Sequence, residues 1–141
     1  MALRFDLHLH TSRYSGDSVI EPERLIGQAV RAGLHGLVIT EHHHQWRDDE
    51  LAELTASAGV PGFVCLAGFE YTSARGDLLV YGLEPAQAGE LKPGAQPEEA
   101  ARLFAAWGGV CIAAHPTRER LSFDERLLSL PLAAMEVRSG N

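Results

Sequence analysis

Leu3-Arg4-Phe5-Asp6-Leu7-His8-Leu9-His10 decides the architecture. Apolar residues at 3, 5, 7 and 9 alternate with Arg4, Asp6, His8 and His10. A period of two belongs to a strand, and it sends both imidazoles to the same side. Outward from this strand the period changes. Pro22 suits a first helical turn, Leu25, Ile26, Ala29 and Val30 form an apolar stripe, and Gly33 is a stop, so a helix is expected over 21–32. Residues 36–40 read as a short buried strand. Residues 47–58, with Leu51, Leu54 and Ala58 on one side and Gly59 behind them, read as a second helix, and 63–69 as a third strand. Residues 71–83 read as a hairpin excursion turning near Arg75-Gly76, with 78–83 as its return. A Pro/Gly-rich loop (84–96) then leads to a third helix (97–107), a fourth strand (110–114), a short helix (123–128) and a fifth strand (134–137).

Alternation of this kind implies an α/β fold: about five parallel strands with covering helices and a β-hairpin insertion near 71–83. At 141 residues and 45% apolar content, the chain is read as one domain over 1–141. Five strands do not comfortably close a barrel, so the architecture is expected to be incomplete.

The formal charge of −7 argues against a broad phosphate-tracking surface, which must be basic to release counterions, so a long nucleic acid is not an expected partner. A small anionic substrate fits if bound cations supply the positive charge. Cys65 and Cys111 lie in apolar runs without CxxC spacing and are expected to be buried and reduced. No charged-then-apolar leader pattern is present, and no apolar run approaches the roughly 20 residues that span a bilayer. A soluble, cytoplasmic chain without membrane contact is the expectation.

In parallel α/β folds, sites form at the C-terminal ends of the strands. His8 and His10 stand at the first such end, Glu41 and His42 at the second, Glu70 at the third and His115 at the fourth, while Glu136 lies within the fifth strand. Of seven histidines, only His35 falls on the opposite side, where a solvated role suits it better. Convergence from separate strands points to a metal site. Imidazole with carboxylate suits Zn, Mn or Fe, and a carboxylate such as Glu70 among histidines can bridge two cations. Such cations lower the pKa of a bound water to about 7, generating hydroxide, and neutralise charge on phosphoryl oxygens. The His-x-His spacing alone is weak, since metal-dependent amidohydrolases share it, but those typically add a modified lysine at a later strand end. The only lysine here, Lys92, is in the Pro/Gly loop.

Asp6-Leu7-His8-Leu9-His10-Thr11 with Ser15 and Asp17, then Ile39-Thr40-Glu41-His42, Gly68-Phe69-Glu70 and Ala114-His115-Pro116, resembles the PHP (polymerase and histidinol phosphatase) family from Asp6 to Asn141. The resemblance implies a distorted (βα)7 TIM-like barrel in which two to three Zn, Mn or Fe ions, with Mg an alternative, hydrolyse phosphate esters. By the same resemblance, His8, His10 and Glu70 would hold the first ion, Glu70 and His115 the second, and Asp17 and His42 the third. Asp77 stands where many relatives have a histidine, and it either ligates in that place or faces solvent. The family also closes its site with a late Asp-x-His, for which this sequence has no counterpart before Asn141. The barrel is therefore expected to lack its last strands. The chain is then a truncated product, is completed by a second chain, or is a degraded relative.

Arg118, three residues past His115, is a candidate phosphate clamp because a guanidinium grips phosphate bidentately, and Arg13 is a second candidate. An ordinary solvated arginine is the competing reading for both. His43 or His44 could donate a proton to the leaving group, against a simpler role lining the rim. Asp48, Asp49 and Glu50 suit a helix start, and Trp46 and Trp107 suit packing. The expected function is metal-dependent hydrolysis of a small phosphorylated metabolite or nucleotide. The alternatives are a metal- or phosphate-binding module without turnover, motivated by the absent Asp-x-His, and a self-assembling homo-oligomer, motivated by unpaired sheet edges.

Overall fold

The computed structural model describes residues 2–118, 126 and 129–137. The strands β1 (Phe5–Leu9), β2 (Gly36–His42), β3 (Val64–Ser73), β4 (Gly76–Tyr81), β5 (Val110–Ala113) and β6 (Ala134–Met135) form one mixed sheet in sequence order. The helices are α1 (Pro22–Arg31), α2 (Asp48–Ala58) and α3 (Pro97–Ala106), with a 3-10 turn at Pro85–Gly89 inside the long loop. The short helix expected at 123–128 lies outside the described residues apart from Arg126.

The hairpin reading needs one correction. β3 and β4 do form a hairpin, closing at Ser73 opposite Gly76, but β4 is not an excursion from the sheet. It is antiparallel to both neighbours and lies between β3 and β5, so five strands run one way and β4 runs against them. The reason lies in Leu78-Leu79-Val80, all at most 1% exposed. A run apolar on both faces must be covered on both faces, and an arm standing clear of the sheet would leave one side wet.

The alternation read in the first strand is also interrupted. Asp6 pairs with Leu37 and Leu9 with Ile39, so β1 spends one residue more than β2 over the same rise. This bulge at 7–8 leaves Leu7 48% exposed while Leu9 packs against the core. Bulges re-aim side chains, and this one falls at His8. Just before it, Gly36 lets β1, β2 and β3 close up, since a Cβ there would lie 2.6 Å from the Val64 carbonyl oxygen and inside van der Waals contact with the Phe5 ring.

Two apolar clusters fix the layers. Leu25, Ile26 and Ala29 of α1 and Leu51 and Leu54 of α2 cover Leu37 and Ile39 of β2, while Ala100, Ala101 and Phe104 of α3 cover Phe69, Tyr71, Leu78 and Val80. Phe104 meets the Phe69 and Tyr71 rings edge-on at 5.5 and 5.2 Å between centroids. Asp48, Asp49 and Glu50 occupy the first turn of α2, and the Glu50 carboxylate accepts the Arg47 backbone N–H at 3.1 Å, as the helix dipole favours.

The sheet curls. β1 and β4 are not neighbours, yet the Tyr81 hydroxyl donates to the Leu7 carbonyl at 2.8 Å. The first strand and the end of the last meet between His8 Nδ1 and Glu136 Oε1, at 2.9 Å. Among the described residues no helix is long and apolar enough to cross a membrane.

Candidate metal centre

Strand parity brings the donors together. On β3, Phe69 and Tyr71 turn to the helices, so Glu70 turns to the concave side, and Asp77, opposite Thr72, shares that side. Glu70 is 1% exposed, and four imidazoles converge on its carboxylate. Oε2 lies 3.3 Å from His8 Nε2, 3.0 Å from His10 Nε2 and 3.3 Å from His42 Nδ1, and Oε1 lies 2.9 Å from His115 Nε2. His8 and His10 therefore point the same way, as their spacing predicts, with Nε2 atoms 3.2 Å apart. His42 Nε2 meets Asp17 Oδ2 at 3.0 Å, and the His10 and His42 rings stack at 4.4 Å.

Two groups of donors have atoms close enough to share one ion each: His8, Glu70 and His115, and His10, Asp17 and His42. This partition differs from the one the resemblance implies, because it places His8 and His10 in separate groups. Glu70 reaches the histidines of both groups, which suits a bridging carboxylate. Asp77 is 4% exposed, with Oδ2 at 3.8 Å from His115 Nε2 and Oδ1 without a partner, so it faces the site and not solvent. His115 Nδ1 is likewise buried without a partner, and His115 has a positive φ of 27°. Orphaned buried nitrogen and oxygen atoms beside a crowded carboxylate fit a group that takes lone pairs, and the imidazole–carboxylate set suits a borderline divalent cation.

The electrostatics agree with that fit. Burial alone would raise the Glu70 carboxyl, but hydrogen bonds with His10, His115 and His8 hold it far below the usual carboxylate range. Burial would lower His8, yet hydrogen bonds and charge from Glu136 and Glu70 carry it up to about 9. Burial, and then the charge of Glu70, push Asp77 up. At Asp17, the pairing with His42 overcomes burial and lowers the carboxyl.

The remaining candidates scatter. His43 takes a left-handed φ of 52°, and its half-buried ring packs edge-on against Tyr71 at 5.4 Å while Nε2 accepts from Thr72 N at 3.5 Å. Burial and the neighbouring His42 lower its pKa, so less of it carries the proton that a donor needs. His44 lies against Tyr14, 3.9 Å between centroids, at the rim. Arg118 is exposed next to the His115 turn. Arg13 lies over Trp46 at 5.0 Å and reaches Glu50 at 3.7 Å, a packing role. His35 is not simply solvated, because its Nδ1 accepts Arg4 N at 3.1 Å. Lys92 enters only through its carbonyl, which accepts from Tyr71. Cys65 and Cys111 are free thiols, pushed by burial up to about 11 and about 12. A cavity of about 970 Å³, lined by Leu51, Ala52, Leu66 and Leu83 among others, contains none of the donors, so donor chemistry and not cavity size locates the site.

Sequence reasoning gave Glu136 no role. Its Oε1 meets His8 Nδ1 and its Oε2 accepts the His115 backbone N–H at 2.6 Å, so it orients one histidine by the ring and another by the backbone. The available signal was an acid in the last strand of a site built from strand ends.

Among relatives, an uncharacterized protein of Methanocaldococcus jannaschii is 28% identical over 146 aligned positions, covering 96% of this chain and 81% of that protein. In fold, the chain is similar to a Bifidobacterium adolescentis protein to which metal-dependent phosphoesterase activity has been attributed (TM-score 0.72, 19% identity, covering 96% of this chain and 77% of that one). It is also similar to an amidohydrolase from Chromobacterium violaceum solved with sulfate and no metal (TM-score 0.64, 17% identity, covering 94% and 76%). Residues 6–106, which carry six of the seven proposed metal donors and β1 through α3, match the PHP domain, and the chain belongs to that family.

Proposed function

We propose that this chain is a metal-dependent hydrolase of a small phosphate ester, such as a phosphorylated metabolite or nucleotide. The observation that carries the reading is the convergence of His8, His10, His42 and His115 on the buried Glu70 carboxylate. His8, Glu70 and His115, with Asp77 beside them, would hold one divalent cation, and His10, Asp17 and His42 a second. A third ion, drawing on ligands from a second chain or copy, belongs to the same proposal. Zn, Mn or Fe, or Mg at the more oxygen-rich position, would supply Lewis acidity, an activated water and neutralisation of phosphoryl charge.

The chain's own residues then position and orient. Glu136 fixes the His8 ring so that Nε2 faces the site. Asp17 meets His42 Nε2 at 3.0 Å, a pairing that an ion shared by the two would replace. Arg118, exposed and next to the His115 turn, would grip a phosphate oxygen as it arrives. His43 lines the wall between β2 and β3, and donation of a proton to the leaving group is the weaker of its two readings. The curled sheet is read as part of a (βα)7 TIM-like barrel, supported by the contact between β1 and the end of β6. The two free thiols support a cytoplasmic setting.

The test is hydrolysis of an aryl phosphate with added Mn²⁺ or Zn²⁺. Turnover should vanish on chelation and in His10→Ala. Turnover that survives both would refute the proposal.

A further inference from the structure

Glu41 is fully buried on β2, one residue before His42, yet it belongs to neither donor group. Its carboxylate is filled by neutral donors. The Thr11 backbone N–H donates at 3.2 and 3.1 Å to its two oxygens, the Thr11 hydroxyl at 2.5 Å to Oε1, the Ser15 hydroxyl at 2.5 Å to Oε2, and the Trp46 indole N–H at 3.0 Å to Oε1. A carboxylate offers about four lone-pair sites. All are taken, so none is left for an ion.

Those donors come from the two loops that carry one ion site. Thr11 directly follows His10. The Ser15 hydroxyl also accepts the His42 backbone N–H at 3.2 Å and lies 3.5 Å from His10 Nδ1, and Asp17 is two residues on. Trp46 closes the β2–α2 loop behind His42 with no exposed surface. Each member of the His10, Asp17 and His42 group is thus within two residues of Glu41 or of a side chain bonded to it. No residue of the His8, Glu70 and His115 group is.

We infer that Glu41 is the positioning residue of the His10–Asp17–His42 ion site, holding the β1–α1 and β2–α2 loops in one register through Thr11, Ser15 and Trp46. Because its partners are neutral, its negative charge also stays unspent beside the site and favours a cation there. In Glu41→Gln, the amide replaces two acceptor sites with donors that face hydroxyls already turned to donate.

The inference rests on the two-ion reading above, and the experiment separates the two. Mn²⁺ titration followed by electron paramagnetic resonance of free Mn²⁺, with elemental analysis of the loaded chain, counts ions and ranks their affinity. Wild type should hold two ions, and Asp17→Ala should show which one belongs to this group. Glu41→Gln and Ser15→Ala should weaken that same ion roughly 10- to 100-fold, as changes behind metal ligands do, and leave the other within about threefold. Both variants holding both ions as wild type does, or losing both ions together, would overturn the inference while leaving the two-ion reading intact. A wild-type chain that takes up no Mn²⁺ overturns both. If Glu41→Gln does not fold, as judged by circular dichroism, Thr11→Val decides by the same loss at that one ion, since it removes a hydroxyl that donates to Glu41 and keeps the Ser15 contacts with His42 and His10.

Discussion

Glu70→Gln keeps the shape of the side chain and removes the charge at the centre of the site. In the wild-type chain that carboxylate is 1% exposed, and four imidazole nitrogens lie between 2.9 and 3.3 Å from it. Removing one partner of a buried ion pair costs about 3–5 kcal/mol. The amide oxygen can still accept one or two of these bonds, so the lower end applies, about 3 kcal/mol. The Glu70 carboxyl is depressed below its ordinary value of 4.5, so its stabilisation is present above that pH and is lost on acidification. Neutral pH is therefore the place to measure. At about 2–4 °C per kcal/mol for a chain of this size, the chelated variant should melt roughly 6–12 °C below chelated wild type at pH 7. Mn²⁺ at 100 times its Kd should add about 2.7 kcal/mol per ion to wild type and markedly less to the variant, which loses a donor of the His8, Glu70 and His115 group and the carboxylate that also reaches His10 and His42. Circular dichroism melts with chelator and with Mn²⁺ read both effects. A chelated Tm within about 2 °C of wild type, together with full Mn²⁺ stabilisation, would refute the central role given to Glu70.

Three further outcomes follow from the same geometry. His8 is carried from 6.5 up to about 9, so a cation must displace its proton, and Mn²⁺ affinity should climb between those pH values by up to about tenfold per unit; calorimetry showing a flat profile would count against His8 as a ligand. Glu136→Gln should weaken the ion at His8, Glu70 and His115 by roughly 10- to 100-fold with the fold retained, and unchanged affinity in equilibrium dialysis would remove Glu136 from the site. Gly36→Ala drives a methyl against the Val64 carbonyl and the Phe5 ring and should cost about 1–3 kcal/mol in urea unfolding; a neutral change would mean that β1 moves off more easily than its packing indicates.

Much of the site is legible in the sequence because strand periodicity fixes which side chains share a face. His8 and His10 are two apart on one strand, and Glu70, His42 and His115 each follow a short apolar run, so their meeting needs only a sheet with those runs side by side. Other features depend on what faces a residue, which no local pattern records. Glu41 stands at a strand end just as Glu70 does, yet its carboxylate meets hydroxyls and an indole where Glu70 meets imidazoles. The place of β4 between β3 and β5 follows from the cover that Leu78-Leu79-Val80 need on both faces. The bulge at 7–8 is a mismatch in rise between two strands and leaves no mark on either strand alone. β6 is two residues long, too short for periodicity to define, and its weight comes from the Glu136 that follows it.

The link between His8 and Glu136 joins the opposite ends of the sheet order through a proposed metal ligand. Cation occupancy and sheet curvature are therefore parts of one equilibrium. An ion that locks the His8 ring also tightens the seam between the first and last strands. By thermodynamic reciprocity, anything that clamps that seam, whether more chain or a neighbouring molecule, raises the affinity for the ion by the same factor. Stripping the ion should then quicken amide hydrogen exchange along β1 and β6 before it touches β2 and β3, making the edges of the sheet report on its centre.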